Sequence, residues 1–388
     1  MKIAVAADAA PSPRRALGAT ARETGTMPAM TPRTLANGHA QSRNNFNLIR
    51  LIAAWLVIYG HAYPITGSGE QDLLLQLVHI KFAGGIAVDM FFVISGFLIA
   101  ASLERNRLPA YLAARALRIF PALLVCVLLS VFVLGPLLTT AADYWNSPQT
   151  WKYLKANALL SRNTQYFLPG MFEGQPSQAI NGSLWSLPIE VRLYLWLALF
   201  ALLRLFTPLR FNLVCVILLI AGVVSYGGKE LTPEKSNFLY CTAYFLVGSL
   251  AWHNRQRVPL RWWLLGLLLA VAALMRDRPY YFLAYFAALS YTTLFLAFVP
   301  KLPQIRHTDL SYGLYLYGWP AQQLVQYLAP GTGPLANVAW ATALAGALAA
   351  LSWYLVERPA LRLKPRFGAR TDPHAPTAPE PLPAAQTS

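Results

Sequence analysis

Residues 82–102 read FAGGIAVDMFFVISGFLIAAS, a run in which Asp89 is the sole ionisable side chain. A helix needs about 20 predominantly apolar residues to cross the ~30 Å hydrocarbon core of a bilayer. Inside that core each backbone N–H and C=O has to be satisfied within its own segment, so a run of this kind spans as a helix. Further apolar runs lie on either side of it. The expected spans are 47–64, 82–102, 117–138, 184–206, 211–227, 237–253, 261–275, 280–299, 310–328 and 335–357. The fold class that follows is an all-α integral membrane protein of about ten transmembrane helices.

Composition agrees with this. Of 388 residues, 56% are hydrophobic and 12% charged, with a mean hydropathy of +0.41. Soluble domains carry about 25% charged residues, so a soluble fold of this length is excluded. The net charge of +16 would suggest nucleic acid in a soluble protein. Here its distribution decides, and no nucleic-acid partner is expected. Arg105, Arg107, Arg115, Arg118, Arg204, Arg210, Arg255, Arg257, Arg261, Lys301 and Arg306 fall in alternate inter-span segments. Basic residues accumulate on cytoplasmic loops, which places both termini in the cytoplasm. The opposite loops hold fewer, among them Lys81, Lys152, Lys155 and Lys229.

Three regions follow. Residues 1–44 and 365–388, rich in Ala and Pro, are expected to be disordered tails. Residues 45–364 form the membrane domain, whose longest outer loop, 139–183, carries Trp145, Trp151 and Tyr153 in an amphipathic pattern suited to the outer interface. Cys126, Cys215 and Cys241 lie in apolar runs without metal-ligand spacing, so packing is their reading. No metal is expected.

Ionisable residues at membrane depth are functional hypotheses by default. Arg50 and His61 are eleven residues apart, about three helical turns, so they share one face roughly 16 Å apart along the axis. Asp89 and Glu190, in spans two and four, come to nearly the same depth as His61. A carboxylate beside an imidazole orients and tunes a general base, though spacing alone does not bring them into contact. In span four, NGSLWSLPIEVRLYLW (181–196) sets Ser183, Ser186, Glu190 and Tyr194 along one stripe. Asn181 or Ser183 can cap its first turn. Arg192 points away and is read as a buried charge partner. After span two, YLAARALRIFP (111–121) gives Arg115 and Arg118 an i, i+3 fork suited to phosphate, or equally to plain cytoplasmic anchoring.

The strings NNFNLIRLIAAWLVIYGHA (44–62), VDMFFVISGFLI (88–99), RALRIFP (115–121), NGSLWSLPIEVRLYL (181–195), SYGLYLYGWPAQQ (311–323) and VERP (356–359) occur in the order in which similar strings occur in the membrane-bound acyltransferase-3 family, which the chain resembles over about 44–364. The resemblance implies a ten-helix core that moves acyl groups, often acetyl, onto hydroxyls of envelope or exported carbohydrates. By its terms His61 is the catalytic histidine, Arg50 its paired arginine, Arg115 and Arg118 the pair associated with acyl-coenzyme A, and Glu190 the span-four glutamate. Two positions depart from the pattern. Val191 stands where a second acid is common, and Gly318 where many members carry a histidine. Some members append an extracytoplasmic domain, which is not expected here.

The combined expectation is a multi-pass O-acyltransferase of a bacterial-type inner membrane. Acyl-coenzyme A, the co-substrate, enters from the cytoplasm against Arg115, Arg118 and Arg50. His61 acts as base, or as a transiently acylated relay, with Asp89 or Glu190 orienting it. Ser186, Trp185, Asn181 and Tyr194 are the candidate substrate-binding residues, with Ser186 able to stabilise an oxyanion. The partners are the bilayer and a carbohydrate or glycolipid acceptor. A proton-coupled transporter or flippase of lipid-linked sugars is the rival class. It is disfavoured because no inverted repeat is visible and the basic pairs gather at one mouth.

Overall fold

The computed structural model describes residues 34–40, 44–226, 233–305 and 308–364. Thirteen helices run through them: α1 (Leu35–Ala40), α2 (Phe46–Thr66), α3 (Leu73–Val78), α4 (Ala83–Arg105), α5 (Leu108–Leu138), α6 (Pro148–Ala158), α7 (Gly182–Leu202), α8 (Pro208–Tyr226), α9 (Pro233–His253), α10 (Trp262–Met275), α11 (Tyr281–Phe298), α12 (Ser311–Leu328) and α13 (Pro334–Leu361). Single π turns interrupt α5 at Ser130–Leu134 and α13 at Trp353–Glu357, and α7 opens with a 3₁₀ turn. Among the described residues no helix-to-strand mixture occurs; the sole β feature is an isolated bridge between Thr34 and Pro259.

A helix coincides with each expected span. Seven of them, α2, α4, α5, α7, α8, α11 and α13, are long and apolar enough to cross a membrane, which makes this a multi-pass membrane protein. The other three differ for readable reasons. At 14 residues, α10 extends only about 21 Å. The first turns of α9 are polar, and α12 carries Gln322, Gln323 and Gln326, all buried in the bundle. The outer shell is greasy: Leu209 is 81% exposed and Val224 75%. In water such a continuous apolar surface would drive aggregation; against lipid it is the expected face.

At the centre α2 packs on α4, α12 and α13, while the most extensive contact is between α4 and α9. Small residues permit that contact. A side chain at Gly96 would meet the Phe245 carbonyl oxygen at 2.0 Å, and one at Gly248 the Val93 carbonyl oxygen at 2.1 Å. The two backbones therefore touch directly, with the Ser249 hydroxyl donating to the Gly96 carbonyl at 3.0 Å.

Most of the two expected tails lies outside the described residues, as do Lys229 and Arg306. Residues 34–40, however, are folded where a disordered tail was expected. The Leu35 and Ala36 amides donate to the Val258 and Arg255 carbonyls, Leu35 is fully buried, and His39 lies edge-on to Trp252 at 4.9 Å. One apolar anchor and an aromatic contact are enough to fix a single short turn of chain.

Candidate active site

His61 stands on α2 under the first turn of α4. Its Nδ1 lies 2.7 Å from the Val57 carbonyl oxygen. A carbonyl only accepts, so Nδ1 carries the proton and Nε2 is left with a free lone pair. The ring is held edge-on by Phe82 (5.0 Å) and tilted against Trp319 (4.7 Å). Gly84 makes room for it, since a Cβ there would approach His61 Cε1 to 3.0 Å. Trp319 is fixed in turn by its indole N–H, which donates to the Ala179 carbonyl at 2.9 Å.

The carboxylates expected beside the imidazole are bound elsewhere. Both oxygens of Asp89 accept from the Lys81 ammonium at 2.8 and 2.7 Å, and that ammonium sits over the Tyr240 ring. Glu190 accepts from Ser95 at 3.1 Å and from the Tyr194 hydroxyl. Among the described residues no hydrogen bond or ion pair joins either of them to His61. The orienting role assigned to them from sequence falls to the Val57 carbonyl, because each carboxylate has a nearer donor.

At the other end of α2 the basic residues form a node. Asp309 Oδ2 accepts from Arg50 at 3.2 Å and from Arg118 at 2.7 Å, and Arg118 also reaches Glu357 at 3.0 Å. Ser311 donates to Asp309 through both its amide and its hydroxyl. Burial alone would raise the Asp309 carboxyl, but Arg50 and Arg118 hold it well below the usual carboxylate range. Arg50 and Arg118 are thus matched by two carboxylates. Arg115 is different: among the described residues its buried Nε has no hydrogen-bond partner. Burial, then Arg115 and Arg118, push the nearby Lys364 ammonium below the usual lysine value. Among the described residues positive charge in this corner exceeds its local balance, and an anion would relieve it.

Between the two ends lies a narrow cavity of about 50 Å³, lined by Arg50 on α2, Val88, Phe91, Phe92 and Ser95 on α4, Ser186, Leu187 and Glu190 on α7, and Ser311, Tyr312 and Tyr315 on α12. Its far end is built by a hydroxyl relay. The Tyr315 hydroxyl donates to the Ser183 carbonyl at 2.7 Å, so Ser186, 2.6 Å away, is the donor to Tyr315. His61 does not line the cavity but lies just beyond it. Val88 and Tyr315 are each four residues, about 6 Å of helix rise, from Gly84 and Trp319, the residues that touch His61 on α4 and α12.

The remaining expected site residues separate clearly. Ser186 lines the cavity, whereas Tyr194 serves Glu190. Asn181 is fully buried, capping the start of α7 through the Ser183 amide and donating to the Leu316 carbonyl; these bonds occupy the side chain that sequence offered for substrate. Trp185 is half-buried against the core and off the cavity wall. Arg192 donates to the Pro188 carbonyl and stacks on Phe238. At Gly318, where a histidine was the departure of interest, a Cβ would meet Ile58 at 2.8 Å, so α2 fills that slot. Tyr315, Trp319, Lys81 and Asp309 were not singled out from sequence. Only Asp309 carried a legible signal, as the one acid between Asp277 and Glu357. The described residues hold no group of three or more His, Cys, Asp or Glu side chains placed to bind a metal ion.

Comparison with known proteins adds a separate line of support. The acyltransferase-3 family model, described as an acyltransferase domain, matches residues 43–357. An O-acetyl transferase of Shigella phage Sf6 is 30% identical over 348 residues, covering 85% of this chain and 97% of that protein. Nodulation protein 10 of Rhizobium leguminosarum bv. viciae is 30% identical over 379 residues, covering 86% and 97%. No solved structure gave a significant match.

Proposed function

The chain belongs to the acyltransferase-3 family, and from that premise we propose that it moves an acetyl group from cytoplasmic acetyl-coenzyme A to a hydroxyl of an envelope or exported carbohydrate at the inner membrane. In this reading all ten helices that match the expected spans cross the bilayer, with both termini inside. The Arg50 end faces the cytoplasm, and the donor's phosphates meet Arg115 and Lys364, where positive charge lacks a partner among the described residues. The arm then follows the cavity past Arg50 and Ser311 towards Ser186 and Tyr315.

The observation that supports the reading best is the position of the free Nε2 relative to the cavity. A hydroxyl bound to a base sits 2.6–3.2 Å from it, and a near-attack contact is about 3–3.5 Å. Together these span about 6 Å, the one helical turn that separates the cavity's far end from the level of His61. An acceptor hydroxyl fits between base and thioester.

The step balances as follows. Nε2 of His61 takes the acceptor's proton while the oxygen attacks the thioester carbon. The Val57 carbonyl, already bound to Nδ1–H, favours the imidazolium that forms. The Ser186 hydroxyl turns from Tyr315 to the developing oxyanion. The C–S bond then breaks, and the thiolate leaves with the proton returned from the imidazolium, giving the ester and free coenzyme A. Glu190, lining the same cavity, holds the Ser95 and Tyr194 hydroxyls along its wall. Asp89 acts at one remove, by holding Lys81 and the outer end of α4 in place.

Membranes carrying the protein, supplied with acetyl-labelled coenzyme A, test this. Label should pass to carbohydrate and fall by about 10²–10⁴-fold in His61→Ala at equal protein level. Arg115→Gln should raise the donor's KM and leave kcat nearly unchanged. Unimpaired labelling in His61→Ala, or carbohydrate translocation without any labelling, refutes the proposal.

A further inference from the structure

We propose that Asp72 is a positioning residue that acts through His61: its carboxylate caps the start of α4 over the imidazole and offsets the positive end of that helix, favouring the imidazolium formed during transfer. This rests on the base role of His61 proposed above.

The first turn of α4 lies directly against His61. A Cβ at Gly84 would come within 3.0 Å of His61 Cε1, and one at Gly60, the residue before His61, within 2.5 Å of the Gly84 amide nitrogen. A helix cannot satisfy its first amides from within, and together they amount to roughly half a positive charge. An imidazole beside that end gains a proton against the field of the helix. The N-cap residue, Phe82, makes no side-chain capping bond. Asp72, eleven residues before Ala83, supplies the cap instead: its Oδ1 accepts from the Ala83 amide at 3.1 Å. The same oxygen caps α3 by accepting from the Leu74 and Leu75 amides at 3.0 and 3.2 Å. Capping α3 needs only those two bonds, which Ser or Asn makes as well as Asp. The third bond brings the carboxylate to the helix end that lies on His61.

Asp72 is 2% exposed, so solvent and salt screen its charge little. Of the described carboxylates it is the one whose charge reaches His61. The other titratable groups on the surrounding elements are engaged or face solvent. On α2 the Tyr63 hydroxyl donates to Tyr59, and at α4 Lys81 pairs with Asp89. His79, after α3, pairs with Asp277, and Tyr315 on α12 is tied to Ser183 and Ser186. Glu70, in the same loop as Asp72, is exposed.

Membranes carrying the full-length protein, supplied with acetyl-labelled coenzyme A from about pH 5 to 9, test this through the label passed to carbohydrate. Asp72→Asn keeps an oxygen for the three amides and loses the charge. Without that charge the imidazolium is less favoured, so Nε2 stays free to lower pH. The acid limb of kcat/KM should move down by about 0.5–1 pH unit. The weaker base should lower the plateau kcat roughly three- to tenfold, with the KM for acetyl-coenzyme A unchanged. Asp72→Ser, which still caps α3, should move the limb in the same direction and decides the matter if Asp72→Asn does not fold. Asp72→Glu, which keeps the charge, should hold the limb near its wild-type place, and so should Glu70→Gln. A limb that stays put in both Asp72→Asn and Asp72→Ser overturns the assignment while leaving the acyl transfer intact. So does one that moves as far in Asp72→Glu as in Asp72→Asn. Absence of label transfer by the wild type at every pH overturns the proposed function, and this inference with it.

Discussion

Asp309→Asn removes the negative charge that Arg50 and Arg118 share. Arg118 keeps Glu357 at 3.0 Å, but among the described residues Arg50 has no other ion-pair partner. Removing one member of a buried pair costs about 3–5 kcal/mol, because the survivor stays desolvated and uncompensated. The side chains here are not fully enclosed, with 24% of Arg50, 16% of Asp309 and 14% of Arg118 exposed, so water recovers part of the loss. The low end, about 3 kcal/mol, is the expected effect, against a total stability on the order of 5–15 kcal/mol. The assay is reversible unfolding in mixed micelles by titration with a denaturing detergent. The double variant Arg50→Met/Asp309→Asn should be more stable than the sum of the single effects by at least about 1 kcal/mol, the signature of direct coupling. pH supplies an internal control. Asp309 titrates lower in the folded protein than its unfolded value of about 3.9, so its contribution is fully present above that value and is lost as pH falls below it. The gap between wild type and Asp309→Asn should therefore be constant from pH 8 to about 5 and close below about 4. A variant within ~0.5 kcal/mol of wild type at pH 7, or strict additivity in the cycle, would refute the node as a structural tie.

Two more outcomes follow from other contacts. Burial, then Arg105 and Arg255, lower the pKa of His39, with Glu104 opposing them; docking of α1 should be complete above about pH 6.5 and loosen as pH falls below it. Protection factors over 35–40, corrected for the intrinsic exchange rate at each pH, should fall in acid for the wild type and lose that dependence in His39→Phe. In Gly182→Val, the new Cβ would come within 2.5–2.7 Å of the Trp319 ring, pushing the indole against His61. An ångström of misplacement at a reacting group costs up to about 10²-fold, so kcat should fall tenfold or more while the donor's KM stays unchanged. Equal losses in kcat and donor affinity would show a general structural defect instead.

Of the candidate site residues, Arg50, His61, Arg115, Ser186 and Glu190 stood out before any coordinates, because an ionisable or hydroxyl side chain is conspicuous on an apolar helix. Their partners were not. Asp89 read as a neighbour for His61 on grounds of depth, yet Lys81, a loop lysine in the sequence, reaches it first. Tyr315 and Trp319 looked like ordinary aromatics of an apolar run; what distinguishes them is that one closes the cavity and the other touches the imidazole. Residues 34–40 were hidden for the opposite reason, since their helix is held by contacts to 252–258 and carries little propensity of its own.

Sequence alone determined which stretches form the long apolar helices. Hydrocarbon accepts only segments that satisfy their own backbone, and length and apolarity, both local properties, identify them. It also determined the chemical types available at depth. Tertiary structure decided who meets whom, since helix rotation and crossing bring together groups as distant in the chain as Arg50 and Asp309, 259 residues apart. It likewise left Nε2 of His61 free, by giving Nδ1 to a carbonyl one turn away. No apolar pattern encodes those rotations; they are set where backbones touch at small residues such as Gly96, Gly248 and Gly84, and the charges follow.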